Sequence, residues 1–283
     1  MSILAFDIGG TAVKYGCFGK DEIFGVFQVK DEFGREALPE KLVEFVEKYS
    51  AGHIGICAPG PFDYNTGTGL MEHKLASLYN VSLREKLEKA FPEVEIMFVH
   101  DATAFIMGEI CQNPLLGQKK LCSVMIGTGL GYAYCNNGKI AVNEKETPLK
   151  PMWNKAYKKG IAEDYVSATA IIRKAQKLGY GFTNVFDIAN AAKDGDLKLK
   201  ELFWEVGQDL ASLINLKHSE EGFDCMVLGG QVSLSWDLMK EGFEKGCDIP
   251  YYISKDPAKS ALYGIKYCIE VGKENVYIKG GTL

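Results

Sequence analysis

Two aspartates and three glycine turns carry the chemistry open to this chain of 283 residues. Apolar runs end in Asp7-Ile8-Gly9-Gly10-Thr11, in Ile126-Gly127-Thr128-Gly129 and in Leu228-Gly229-Gly230. Glycine lets backbone amides approach a phosphate closely, and a turn of such amides makes an anion-binding concavity. One such turn is most simply a tight turn; three at strand ends point to phosphate binding. None fits GxxxxGK(S/T), which removes the P-loop mechanism, and none gives GxGxxG ahead of a helix. Asp7 stands beside the first glycines, where it can hold Mg²⁺ through water or bond the turn's own amides. Lys14 follows on the polar side of the next strand, within reach of a phosphate or simply solvated. Asp101 ends an apolar run just before a helical stretch. Taken alone that is the place of a helix N-cap, although a carboxylate touching a hydroxyl there would also suit a general base.

The elements that must position these residues read as two passes of one pattern. Ile3–Phe6, Ala12–Phe18 and Glu22–Val29 are strands separated by Gly9-Gly10-Thr11 and Gly19-Lys20-Asp21. Leu38, Leu42, Phe45, Val46 and Tyr49 recur at helical spacing. A strand at His53–Ala58, a Pro-Gly-Pro turn, a helix at Leu83–Phe91, a strand at Glu95–Val99 and a helix from Ala102 to about Cys111 follow. The run Leu121–Ile140 then repeats the logic of Ser2–Ile23: strand, Gly/Thr turn, strand, polar turn, third strand. Such an echo is the trace of a duplicated architecture. Helical spacing dominates 161–177 and 200–216, Asp224–Gln231 is a strand into a glycine turn, and Ala258–Val271 is a closing helix.

Composition narrows the class. At 47% hydrophobic and 24% charged the chain is globular, and its length favours two lobes. A net charge of -5 with no local Lys/Arg cluster excludes a nucleic-acid surface, which needs basic groups to neutralise phosphates. The strand-like run starting at Ser2 leaves neither a signal peptide nor a membrane helix to expect, so the expected location is the cytoplasm. The eight cysteines form no CxxC pair and read as reduced core thiols.

The order of these motifs resembles the actin–hexokinase–Hsp70 superfamily, and more closely the ROK group of repressors, open reading frames and kinases. The resemblance covers nearly the whole chain. Ala5–Lys14 looks like that family's first phosphate segment, and Gly55-Ile56-Cys57-Ala58-Pro59-Gly60-Pro61 like its Pro-Gly segment near the sugar. Val99-His100-Asp101-Ala102-Thr103-Ala104 is similar to its Asn-Asp-Ala-Asn-Ala turn, Ile126–Gly131 to its second phosphate segment, and Val227–Ser233 to its adenosine segment. The resemblance implies an α/β fold: two-lobed, actin-like (ribonuclease H-like), with duplicated mixed-sheet domains and an interlobe cleft. It implies an N-terminal lobe at 1–114 completed by 270–283, and a C-terminal lobe at 115–269. It implies an ATP-dependent carbohydrate kinase, with Asp101 as base, Asp7 holding Mg²⁺ through water, and Gly9, Gly10, Thr11, Lys14, Gly127, Thr128, Gly129, Gly229 and Gly230 on the nucleotide. Pro59, Gly60, His100, Asp101 and Glu163 would meet the sugar. The expected partners are ATP and a small sugar, with no nucleic acid and no membrane, in a homodimer.

Departures from the family pattern bear on metal and substrate. Ile140–Gly160 contains no Cys and no His, so no zinc site of the usual ligands is expected there, and one expected sugar-binding His is missing. Glu163, in Ile161-Ala162-Glu163-Asp164-Tyr165, is a candidate acceptor for a sugar hydroxyl or an acidic residue favoured in a first helical turn. Glu146 is a poorer candidate for the family's other glutamate. His100 replaces the usual Asn, either donating to a sugar oxygen or packing at a strand end. Tyr132 stands where the family often has Gly, and is expected to reshape the phosphate or sugar region. A sugar-responsive regulator is disfavoured, because the first phosphate motif begins by residue 5 and leaves no room for a DNA-binding domain. Retention of both Asp7 and Asp101 argues against a non-catalytic sensor, and an ATPase of the actin or Hsp70 kind should lack the Pro59-Gly60-Pro61 and His100-Asp101 constellation, which fits a sugar site better.

Overall fold

In the computed structural model, which describes residues 2–10, 12–29, 34–72 and 75–280, the opening runs form β1 (Ile3–Ile8), β2 (Ala12–Phe18) and β3 (Glu22–Gln28). They are antiparallel neighbours. Helix α1 (Ala37–Tyr49) buries Leu38, Leu42, Phe45 and Val46, the stripe its 3.6-residue period dictates. β4 (His53–Ala58) and β7 (Glu95–His100) then join β1 in parallel, giving the order β3-β2-β1-β4-β7. β1, β4 and β7 are near-continuous apolar runs, as strands covered on both faces must be. Because they run parallel, their carboxyl ends share one edge of the sheet. Between β4 and β7 lie the short ribbon β5 (Phe62–Asp63) and β6 (Thr68–Gly69) and helix α2 (Leu83–Ala90). Helix α3 (Asp101–Gln112) leaves β7 without a loop.

The second pass begins with β8 (Lys120–Ile126) and β9 (Leu130–Asn136), joined by the turn 127–129. The expected echo of the first three strands holds for two of them only. β10 (Ile140–Val142) leaves β9 and pairs in parallel with β15 (Tyr277–Lys279). The hairpin β11 (Ala156–Tyr157) and β12 (Gly160–Ile161) precedes helices α4 (Ala168–Lys177), α5 (Val185–Lys193) and α6 (Leu197–Glu221). β13 (Cys225–Gly229) and β14 (Tyr251–Ile253), with α7 (Trp236–Glu244) between them, complete a sheet of order β14-β13-β8-β9. Helices α8 (Pro257–Val271) and α9 (Lys273–Val276) lead to β15. α5 and α7 and strand β14 carry no motif that marks them in the sequence.

Two compact units result: Met1–Gln118, Cys135–Leu149 and Ala258–Leu283 in the first, Lys119–Tyr134 and Lys150–Pro257 in the second. The division expected at 114/115, with only 270–283 returning, differs by two segments. Residues 135–149 follow β10 to its partner β15, and nearly all of α8 belongs to the first unit. The reason for α8 is a backbone contact. A Cβ on Gly108 of α3 would strike the Ser260 carbonyl, and one on Gly264 of α8 would strike the Ala104 carbonyl. The two glycines let α3 and α8 cross at main-chain distance. Among the described residues no helix is long and apolar enough to cross a membrane. All eight cysteines are free, and only Cys111 is not buried.

Candidate active site

In the first unit, the shared carboxyl edge of β1, β4 and β7 gathers the charged groups. The register sets Asp7 beside Cys57 and Cys57 beside Val99, with His100 opposite Ala58 and Asp101 one residue on. Asp7 and Asp101 therefore flank the end of β4 from either side. Opposite Asp7 on β2 stands Lys14, whose Nζ lies 2.9 Å from Asp7 Oδ2. The other oxygen, Oδ1, accepts from the Cys57 thiol at 3.3 Å. Among the described residues Asp7 thus bonds side chains and no amide of its own turn; Gly9 N–H donates to Ala12 O at 2.9 Å. Thr11, expected on the phosphates, lies outside the described residues.

Cys57 was not among the expected site residues, although it sits within the Gly55–Pro61 segment. Its thiol is fully buried. Burial, and then the negative charges of Asp7 and Asp101, push it well above the ordinary thiol range. It therefore stays a neutral S–H donor, and both carboxylates are near enough to be felt by it.

Asp101 is the first residue of α3, and His100 is the N-cap. Asp101 Oδ1 accepts the Ala102 N–H at 2.7 Å, so one oxygen does serve the helix start. Oδ2 has no hydrogen-bond partner among the described residues, which leaves it for a substrate proton. His100 Nδ1 lies 3.1 Å from Ala102 N and 2.9 Å from Asp101 Oδ1. It accepts from the first when the proton is on Nε2, and donates to the second when the proton is on Nδ1. The Nε2 edge looks toward Gly60: a Cβ built there would be 3.6 Å away. Behind His100, the ring of Tyr64 packs edge-on at 5.6 Å, and its hydroxyl donates to Ala58 O at 2.9 Å. Burial, and after it the Asp101 charge, drive this phenol well above its usual range. The chain Ala58-Pro59-Gly60 is thereby tied to the same wall as His100. Tyr64 is a second residue the sequence reading missed.

In the second unit, the turn 127–129 is held by its carbonyls. Gly127 O accepts from Ala168 N at 2.8 Å, and Thr128 O from Thr169 Oγ1 at 2.9 Å. The amides of Thr128 and Gly129 have no acceptor among the described residues, the arrangement an anion-binding turn requires. Glu163, in the 3₁₀ turn Ala162–Asp164, supports it from beneath: its Oε2 accepts the Leu130 N–H at 2.8 Å. Its other oxygen, Oε1, has no hydrogen-bond partner among the described residues. Gly230, with φ +82°, stands so close to the end of β8 that a Cβ would lie 2.5 Å from Ile126 O. Gly229 pairs with Met125 in the β13–β8 register. The turns at 127–129 and 229–230 are thus neighbours at adjacent strand ends.

One expectation fails. Tyr132 does not reshape the phosphate turn; it is buried, its hydroxyl bonds Glu221 at the end of α6, and Lys217 sits 4.5 Å above its ring. Glu146, the poorer candidate on sequence, is buried and ion-paired to Lys273 and Lys279. Among the described residues no group of three or more His, Cys, Asp or Glu could hold a metal. A lone, partly exposed carboxylate such as Asp7 suits Mg²⁺, which keeps most of its water and needs one or two carboxylates beside phosphate oxygens.

Residues 3–248 match the model of the ROK family. The chain belongs to the ROK family. It is 25% identical over 218 residues to the glucokinase of Thermotoga maritima, a match covering 70% of this chain and 68% of that one. It is 29% identical over 143 residues to a beta-glucoside kinase of Listeria monocytogenes, spanning 50% of this chain and 48% of the relative. Its fold is that of a ROK family glucokinase from Streptomyces griseus solved with glucose and AMPPNP, with a TM-score of 0.72 and 20% identity over 97% of this chain and 100% of that one.

Proposed function

We propose that this protein transfers the γ-phosphoryl group of ATP to a hydroxyl of a hexose or related sugar, with Asp101 as general base. Its class, an ATP-dependent carbohydrate kinase, follows from the kinases named among its relatives; the acceptor and the base are what is proposed beyond it. The observation that carries the reading is the unpartnered Oδ2 of Asp101 beside His100 at the end of a parallel strand, on the sheet edge shared with Asp7.

In the proposed reaction the sugar oxygen attacks the γ-phosphorus, its proton passes to Asp101 Oδ2, and the bond from that phosphorus to the β-bridging oxygen breaks, releasing ADP. A base held in direct contact contributes about 10²–10⁴ in rate. His100, Gly60 and the remaining oxygen of Glu163 read hydroxyl positions, since a site built to hydrogen-bond hydroxyls rejects analogues that lack them. The amides of Gly9, Gly10, Thr128 and Gly129 and the Lys14 ammonium bind phosphate oxygens, and Gly229-Gly230 borders the adenosine. Asp7 would hold Mg²⁺, which when bound neutralises charge on the phosphates. The protein acts as a homodimer in this reading. Release of ADP across a panel of hexoses, N-acetylated hexosamines and β-glucosides tests it. Stimulation by at least one sugar is expected; ATP binding with no stimulation by any sugar would favour a sensor.

A further inference from the structure

A cluster in the first unit grips the segment that follows the Pro-Gly-Pro turn. Residues 143–147 form a tight turn, in which Asn143 Oδ1 accepts from the amides of Lys145 at 2.9 Å and Thr147 at 3.0 Å. Glu146 sits in it with φ +63°, a left-handed conformation uncommon for a residue with a side chain. That conformation turns the carboxylate inward, where its side chain is 7% exposed and meets Lys273 Nζ at one oxygen and Lys279 Nζ, 3.2 Å away, at the other. Lys273, the first residue of α9, reaches further, to the carbonyl of Tyr64 at 3.4 Å. From the same turn, Lys145 O accepts the Tyr64 N–H at 3.3 Å, and Glu144 O accepts from Asn65 Nδ2 at 2.7 Å. Arg84 of α2 closes the set, its Nε donating to Asn65 O at 3.0 Å.

The main chain of Tyr64 is thus held on both sides, by the 143–147 turn at its amide and by Lys273 at its carbonyl. The consequences run to the chemistry. Tyr64 fixes Ala58 O through its hydroxyl and the face of His100 through its ring, and His100 lies against Asp101. We infer that Glu146 and Lys273 are a positioning pair for the sugar side of the site, setting Tyr64 and through it His100 and the Pro59-Gly60 segment. Neither residue touches the reacting atoms. This rests on the kinase reading above, yet its own geometry does not depend on turnover. Burial lowers the Lys273 ammonium pKa against the pull of Glu146, so the charge is kept there by its partner. Removing Glu146 leaves Lys273 as a largely buried charge without its carboxylate, whereas removing Lys273 leaves Glu146 its second partner, Lys279.

The test compares Lys273→Met, Glu146→Gln and the double variant by hydrogen exchange of 58–66 and by separate KM values for sugar and ATP. Lys273→Met should speed exchange in 58–66 by about tenfold or more, the order expected for losing a hydrogen bond to a charged donor. It should raise the sugar KM by a similar factor and leave the ATP KM within about twofold. The double variant, which equally lacks the donor to Tyr64 O, should match Lys273→Met, and Lys273→Arg should restore the sugar KM. If Lys273→Met does not fold, Glu146→Gln, which keeps the shape of the turn, carries the same readouts. Exchange in 58–66 unchanged in a folded variant overturns the clamp. Faster exchange with an unchanged sugar KM overturns its role in the sugar site. If wild type turns over no sugar, the kinase reading fails, and exchange alone decides the clamp.

Discussion

The Leu130 amide donates to Oε2 of Glu163 at 2.8 Å, and the same carboxylate packs against the Cα of Gly129. A 3₁₀ turn 33 residues downstream therefore sets the far end of the 127–129 turn. With Ala168 N on Gly127 O and Thr169 Oγ1 on Thr128 O, the carbonyls of the first two turn residues are already occupied. What is left without an acceptor among the described residues is a pair of amides, those of Thr128 and Gly129.

Glu163→Ala should therefore act on the nucleotide. Losing a hydrogen bond to a charged acceptor costs about 1.5–3 kcal/mol, so ATP affinity should fall by roughly tenfold or more, while Glu163→Gln, which still accepts from Leu130, retains most of it. Calorimetric titration with ATP measures this. A variant with normal ATP affinity and a raised sugar KM would make Glu163 a sugar ligand alone.

Gly230 combines φ +82° with ψ 167° and a backbone neighbour 2.5 Å from any Cβ. That region is nearly closed to other residues, at a cost of about 1–3 kcal/mol. Gly230→Ala should lower the melting temperature and push β13 from β8 beside the 127–129 turn, weakening ATP binding. Gly10, where a Cβ would meet nothing within 4 Å, is the control: Gly10→Ala should leave the melting temperature almost unchanged.

The N-cap of α6 gives a pH dependence with a definite sign. Asp196 accepts from Tyr180 Oη at 2.6 Å and from the amides of Lys198 and Leu199. The Tyr180 hydroxyl first, then the Leu199 amide, hold its carboxyl below the ordinary 3.8. A carboxylate depressed in the folded state stabilises it above the unfolded value and loses that contribution as the pH falls. Asp196→Ala should thus melt below wild type at neutral pH, and the gap should close as the pH drops below 3.8. A gap that stays constant into strong acid would contradict this.

Thiol chemistry should separate Cys57 from Cys111. Cys57 is buried and faces two carboxylates, whereas Cys111 is only partly covered. Iodoacetamide added to the folded protein should modify Cys111 first and leave Cys57 untouched until the chain is unfolded. Early labelling of Cys57, read by peptide mass, would place its thiol in a different environment from the one described.

Much of this arrangement is legible in the sequence because it is local. Asp7 and Lys14 are joined by one short turn, so a strand meander brings them together, and Asp101 follows its strand with no loop between. The glycine turns announce themselves by composition. What escapes is set by contacts between distant segments. β10 looks like the third strand of a repeat, and only its pairing with β15 takes it elsewhere. The grouping of α8 depends on Gly108 and Gly264, each ordinary inside a helix until the other is opposite. Glu146 meets Lys273 across 127 positions, and no periodicity marks either residue. Tyr132 stands in the motif beside the second glycine turn, but its environment is the end of α6.

The most direct measurement is the turnover of Asp101→Asn with the sugar that best stimulates the wild type, alongside its ATP affinity. Asparagine keeps an oxygen for the Ala102 amide and cannot take up the hydroxyl proton. The account predicts a fall in kcat of about 10²–10⁴ with unchanged ATP affinity and an intact melting transition. Turnover within a few-fold of wild type would remove Asp101 from the reaction and the proposed mechanism with it.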